Sequence, residues 1–209
     1  MNLKKPKSTN SSKFSTGTVA APIDAATVAI RLKRGEIGVL PTDTLYGIVG
    51  SAIKPVVVER IYALRRRELD KPMIVLIGSW ADLSSMNIKL TSLTADLLRN
   101  IWPGPVSVIV PVSAPNLKHL HRGTGGIAFR MPAQAELRLL LESTGPLVAP
   151  SANIAGEEPA TTVAQAQEYF EDEVFYVDRG ELRGSPSALI DARQHPPKIL
   201  RSAPGFSLN

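Results

Sequence analysis

The 209-residue chain contains no cysteine. That absence excludes disulfides, thiolate metal sites and cysteine nucleophiles. Histidine is scarce as well: His119, His121 and His195 are the only three, which leaves little for a histidine-built zinc site. His119 and His121 alternate within a loop-like segment and are expected at the surface. No apolar run approaches the roughly 20 residues that a membrane-spanning helix needs. The lysine- and serine-rich N-terminus has no apolar signal core, so a cytoplasmic protein is expected, with no membrane partner. A P-loop pattern is missing. Gly123, Gly125 and Ala128 match G-x-G-x-x-A, but a dinucleotide fingerprint follows a strand and opens a helix, whereas this one precedes a strand. Any nucleotide must be held by another device. Clustered carboxylates are also lacking, so nothing points to a dedicated metal site on the protein.

With 44% hydrophobic and 21% charged residues, the composition is that of an ordinary soluble globular protein, and the length suits one domain with one sizeable core. The net charge of +5 suggests a nucleic-acid partner until its location is considered. Lys4, Lys5, Lys7 and Lys13 stand in the first 13 residues with no acid among them. Most of the basic signal is therefore a tail. Residues 1–15 are expected to form a disordered basic leader, solvated or touching RNA, and residues 16–209 the folded domain.

The chain alternates helical and extended patterns. Asp24 suits a helix N-cap before Ala25, Val28, Ala29 and Leu32, and Gly35 suits its end. Ile37 to Leu40 reads as a strand. It runs into Thr42, Asp43, Thr44 and Tyr46, a polar tip before a second, glycine-bounded apolar run. Such a tip is either an ordinary turn or a place to hold a ligand. Pro55 suits a first helical turn, with Val57, Ile61 and Leu64 on one face and Arg65, Arg66 and Arg67 among the helix's other positions. Those arginines, with Lys71 beyond, are either solvated cations favoured by the helix dipole or a clamp for polyphosphate.

Further strands are expected at 73–77, 106–112, 127–131, 147–149, 174–177, 188–190 and 198–201. Helices are expected from Thr91 or Ser92, with Leu93, Leu97, Leu98 and Ile101 buried; after Arg130, with Ala133, Leu137, Leu140 and Leu141 buried; and from Thr161 to Phe170. Residues 117–126 read as a basic loop. Arg130 interrupts an apolar strand, where an unpaired charge would be costly to bury, so it needs solvent or an anion. The whole is an α/β domain, bordering on α+β, around one mixed sheet, with polar residues gathered at strand ends.

Seven motifs in order carry a resemblance. They are PTDTLYG at 41–47, the arginines before Lys71-Pro72, WPGP followed by Val106-Ser107, FRMP at 129–132, SAN at 151–153, PSAL at 186–189 and ILR at 199–201. Together, from about residue 24 to 201, they resemble the YrdC/TsaC family of threonylcarbamoyl-AMP synthases, in its short form without an extra C-terminal domain. The resemblance implies a twisted mixed sheet with helices on its faces, enclosing a concave cavity, as in YrdC/RibB-like folds. It implies a nucleotidyltransferase reaction of L-threonine, bicarbonate and ATP giving threonylcarbamoyl-AMP and pyrophosphate, with Mg²⁺ accompanying ATP. Partner proteins would then transfer the threonylcarbamoyl group to tRNA; tRNA or double-stranded RNA itself is a further implied partner.

By motif position, the resemblance places Thr42, Thr44, Tyr46 and Arg130 at the threonine and bicarbonate end. Arg65 and Arg67 match the family's K-x-R pair on the ATP phosphates, and Ser151, Asn153, Ser187 and Arg201 match nucleotide-contacting positions. Lys71 is added from charge placement. Two departures stand out: Arg65 replaces the family lysine, a habit shared with YciO-like paralogues, and Ala188 replaces a threonine, at the expected loss of one hydrogen bond. The alternative is a YciO-like RNA-binding or ribosome-associated paralogue with little synthase activity.

Overall fold

The computed structural model describes residues 24–207; the expected leader at 1–15 lies outside them. Asp24 starts α1 (Ala25–Arg34): its Oδ1 accepts from the backbone N–H of Ala26 at 2.9 Å and Thr27 at 3.0 Å, and Gly35, at φ 95°, ends the helix in the left-handed region. β1 (Gly38–Pro41) and β2 (Tyr46–Ser51) follow as an antiparallel hairpin whose last pair, Pro41 with Tyr46, leaves residues 42–45 as its tip. Then come α2 (Pro55–Leu64), β3 (Ile74–Leu76), α3 (Trp80–Ser85), α4 (Ser92–Ile101), β4 (Val106–Pro111), α5 (Lys118–His121) and β5 (Gly126–Arg130). The chain continues through α6 (Ala135–Thr144), β6 (Leu147–Val148), α7 (Val163–Phe170), β7 (Phe175–Tyr176), β8 (Ala188–Asp191) and β9 (Lys198–Arg201). The nine strands among the described residues form one mixed sheet in the order β7-β1-β2-β6-β3-β5-β4-β8-β9.

The two faces of this sheet are treated differently, and that difference makes the site. On one face, Val106, Val108, Val110, Ile127, Phe129, Ala188 and Ile190 join the main core with α2, α4 and α7. On the other, α1 and α6 lay Val28, Leu32, Leu137 and Leu141 over Leu40, Val49, Leu76 and Leu147. That cover stops short. Beyond Leu76, the same face carries Ala128 beside Ile74 and Arg130 beside Leu76 in the β3–β5 register, and Ile109 beside Ala128 in the β4–β5 register. Ile74, Ile109, Ala128 and Arg130 form the floor of a cavity.

Several elements depart from the sequence expectations. α2 closes at Leu64, not beyond it: Arg65 is its cap and Arg66 takes a left-handed φ of 48°. The basic segment expected as a loop, 117–126, starts at the end of a 3-10 turn (Pro115–Leu117) and contains α5, because Leu117 and Leu120 reach the core. His121 is consequently buried, with Nδ1 accepting from the N–H of Gly123 at 3.0 Å, and half-buried His119 bonds the carbonyl of Ala52 at 2.8 Å; neither is a freely solvated surface histidine. On α4, Leu93 is 59% exposed and Thr94 takes the buried position beside Leu98. Ala133 is exposed and precedes α6. α3 was not expected; the carboxylate of Asp82 accepts from the backbone N–H of Gly78 and Ser79 and starts it. No described helix is long and apolar enough to cross a membrane.

Candidate active site

The cavity, of about 430 Å³, is lined by the β1–β2 tip, the segment after α2, the start of β3, the exposed faces of β4, β5 and β8, the end of β6 and Arg201. Of the residues singled out by sequence, Thr42, Thr44, Tyr46, Arg65, Arg67, Lys71, Arg130, Ser151, Ser187 and Arg201 line it; Asn153 does not. Six cations, the four arginines and Lys71 just named together with Arg193, face one lining carboxylate, Asp70. A cavity so biased is an anion site.

At one end, the tip forms a directed chain of hydrogen bonds. Thr42 Oγ1 donates to the carbonyl of Leu45 at 2.7 Å, so in its 3.0 Å contact with Thr44 Oγ1 it must accept. Thr44 Oγ1 in turn accepts from Arg130 Nη1 at 3.0 Å. Thr44 therefore keeps an acceptor position for a ligand, which suits an amine or hydroxyl donor. Arg130 is 4% exposed and lies 3.3 Å from Asp43, whose other oxygen accepts from the N–H of Ala133 at 3.0 Å. Of the two expectations for Arg130, solvent or an anion, the second holds, and Asp43 is that anion. Burial still pulls the Arg130 guanidinium below its usual range, opposed by Asp43 and reinforced by Arg201. Tyr46 lines the cavity, but its hydroxyl is committed: it donates to the carbonyl of Gly180 at 2.7 Å and accepts from the N–H of Arg179 at 3.0 Å. It anchors the strap of residues 178–187 that crosses the tip.

The other end holds the arginine pair. Because Arg66 turns left-handed and points to solvent, Arg65 and Arg67 on either side both reach the cavity. Arg67 donates from Nε to the carbonyl of Lys71 at 2.9 Å and from Nη2 to that of Pro72 at 3.2 Å, which fixes its guanidinium beside Lys71. Arg65 is 3% exposed and has no acidic partner among the described residues. Burial, with the nearby charge of Arg67, brings it down to about 10. A buried cation without a counter-ion is stabilised by an incoming anion.

At the third wall, Arg201 donates from Nε to the carbonyl of Ser187 at 2.9 Å, and Ser187 Oγ lies 2.9 Å from Ser107 Oγ. Ala188 is fully buried in the core on the opposite face, so a hydroxyl there would not enter the cavity, and a hydrogen bond lost with it would be one inside the protein. Sequence reasoning missed Arg193, which grips Asp191 through Nε and Nη2 at 2.9 and 2.7 Å and the carbonyl of Thr124 through Nη1 at 2.7 Å. It crosses so close to Gly126 that a Cβ there would lie 2.8 Å from Arg193 Cδ. Only the spacing of Asp191 and Arg193 in a turn could have signalled it. No group of three histidines and carboxylates able to hold a metal occurs among the described residues.

Comparison with known proteins gives the chain's family and fold. Residues 31–203 match the Sua5/YciO/YrdC family model, whose description is "Telomere recombination". A Mycobacterium tuberculosis protein provisionally named threonylcarbamoyl-AMP synthase is 34% identical over 176 residues, covering 83% of this chain and 81% of that protein. The Pyrococcus abyssi threonylcarbamoyl-AMP synthase is 32% identical over 173 residues, covering 81% of this chain and 51% of that protein. The crystal structure of P. abyssi Sua5 complexed with L-threonine superimposes with a TM-score of 0.79 at 30% identity, over 88% of this chain and 56% of that one. This chain thus spans little more than half of the P. abyssi protein. Escherichia coli YciO shares the fold, with a TM-score of 0.76 at 21% identity over 87% of this chain and 90% of its own. The chain belongs to the Sua5/YciO/YrdC family.

Proposed function

We propose that the protein is an L-threonylcarbamoyladenylate synthase, forming threonylcarbamoyl-AMP and pyrophosphate from L-threonine, bicarbonate and ATP. The observation that carries this reading is a cavity in which six cations meet the Thr42–Thr44–Arg130 chain. The threonine amine and bicarbonate condense to a carbamate with loss of water. A carbamate oxygen then attacks the α-phosphorus, the bond from that phosphorus to the α,β-bridging oxygen breaks, and pyrophosphate leaves. No side-chain nucleophile is needed. What the reaction requires is two anions held against one another and a neutralised triphosphate.

Thr44 and Arg130 receive the amino acid, Thr44 as acceptor for its donors and Arg130 for an anionic oxygen, while Thr42 and Tyr46 hold the tip in shape. Arg65, Arg67 and Lys71 receive phosphate oxygens, and Ser151, Ser187 and Arg201 line the rest of the nucleotide site. Mg²⁺ belongs to the nucleotide in this reading, because the lining residues are cationic and offer no carboxylate cage. The product is an activated acyl group for transfer by partner proteins to tRNA. Incubation with ¹³C-bicarbonate, threonine and Mg-ATP should yield threonylcarbamoyl-AMP one mass unit heavier than the unlabelled product. Folded protein that forms no such adduct, yet binds RNA in a salt-dependent way, would instead fit the RNA-binding alternative.

A further inference from the structure

Motif position would make Asn153 a nucleotide contact, but its surroundings leave it no capacity for one. Asn153 is 6% exposed and stands behind the cavity wall. Its Oδ1 accepts from Arg65 Nη2 at 2.9 Å and from Ser151 Oγ at 2.7 Å, and its Nδ2 donates to the carbonyls of Ile154 at 2.9 Å and Glu157 at 2.7 Å. A side-chain amide has two acceptor and two donor positions, so all four are filled.

The same residue holds Arg65 a second time. Arg65 Nε donates to the backbone carbonyl of Asn153 at 3.0 Å, while the N–H of Ala155 returns a bond to the carbonyl of Arg65 at 2.7 Å. Two nitrogens of the guanidinium are therefore tied to one residue, and Nη2 also lies 3.4 Å from Ser151 Oγ. The remaining nitrogen, Nη1, is buried with no partner, on a side chain that lines the cavity. The rigid, planar fork makes this arrangement possible, because holding two nitrogens fixes the direction of the third. A lysine ammonium at the same position has one nitrogen and no such leverage.

We infer that Asn153 is a positioning residue that orients the Arg65 guanidinium through Nε and Nη2, leaving Nη1 to bind a nucleotide phosphate oxygen, and that it does not touch the nucleotide itself. This rests on the reading of the cavity as an ATP site. It makes the arginine at 65 part of a two-residue device, with Asn153 as its other half.

A double-mutant cycle on ATP affinity, read by calorimetry without threonine so that no turnover is needed, tests it. Asn153→Ala is expected to weaken ATP binding about 10- to 100-fold in the otherwise native protein, the scale of misplacing a charge-assisted hydrogen bond. In the Arg65→Lys background the same substitution is expected to cost less than about threefold, since non-additivity marks coupled residues. Asn153→Ser, which keeps a hydroxyl acceptor of shorter reach, runs in parallel so that the cycle survives an unfolded alanine variant. An equal penalty in both backgrounds, as a direct contact of the amide with ATP would give, overturns the inference. Coupling found in a protein that releases no pyrophosphate supports the pair and contradicts the synthase reading.

Discussion

Arg130 and Asp43 show how much one buried charge depends on another. Arg130 is 4% exposed and Asp43 is 9% exposed at the side chain, and Asp43 is the acidic group paired with it among the described residues. Removing one member of such a pair leaves an uncompensated buried charge. Asp43→Ala should therefore lower unfolding stability by about 3–5 kcal/mol, measured by urea denaturation. The double variant Asp43→Ala/Arg130→Met should recover most of that loss, because the stranded charge is gone. A loss under about 1 kcal/mol for the single variant, the scale of an exposed pair, would mean that the pair is solvated. That Arg130 needs solvent or an anion was legible from the sequence, since a charge within an apolar strand is a conflict that something must resolve. Which anion was not legible, because Asp43 and Arg130 meet only once β1, β2 and β5 share a sheet. Arg193 was hidden for a related reason: its carbonyl partner, Thr124, is 69 positions away.

The elements that shape the cavity are short and held by contacts between distant parts of the chain. The β1–β2 tip was readable as a polar stretch between two apolar runs, and the end of α2 as a run of arginines. The strap at 178–187 was not, since it carries no periodic pattern. It is pinned instead by the Tyr46 hydroxyl, by the N–H of Leu182 on the carbonyl of Thr161 at 2.8 Å, and by close passage of Gly184 over the tip. A Cβ at Gly184 would overlap the carbonyl oxygen of Thr44, and both sides of that clash are backbone. Gly184→Ala should thus displace the strap or the tip, costing about 1–3 kcal/mol in stability. The Michaelis constant for threonine should rise while that for ATP changes little. Equal increases for both substrates would show that the strap does not act on the tip. Capping chemistry explains one element that went unread: Asp82 organises the backbone of Gly78 and Ser79 for a helix of only six residues, too brief for its apolar spacing to register.

Over the whole molecule, one sheet serves two purposes. Among the described residues, its first face is sealed into the main core, and its second is covered by α1 and α6 on one half and lines the cavity on the other. Alternation along β5 states this division: Ile127 and Phe129 enter the core while Gly126, Ala128 and Arg130 line the cavity. The fold class and most elements could be read from spacing and capping alone. The strand order could not, because neighbours such as β3 and β5, or β4 and β8, are separated by other elements in the chain and specified by non-local packing. The cations scattered between Arg65 and Arg201 become one site only through that order. Their joint purpose is most directly measured as pyrophosphate released from Mg-ATP, with threonine and bicarbonate omitted in turn. The account predicts release that requires both. Release that continues without threonine, or none from folded protein with all three substrates present, would contradict it.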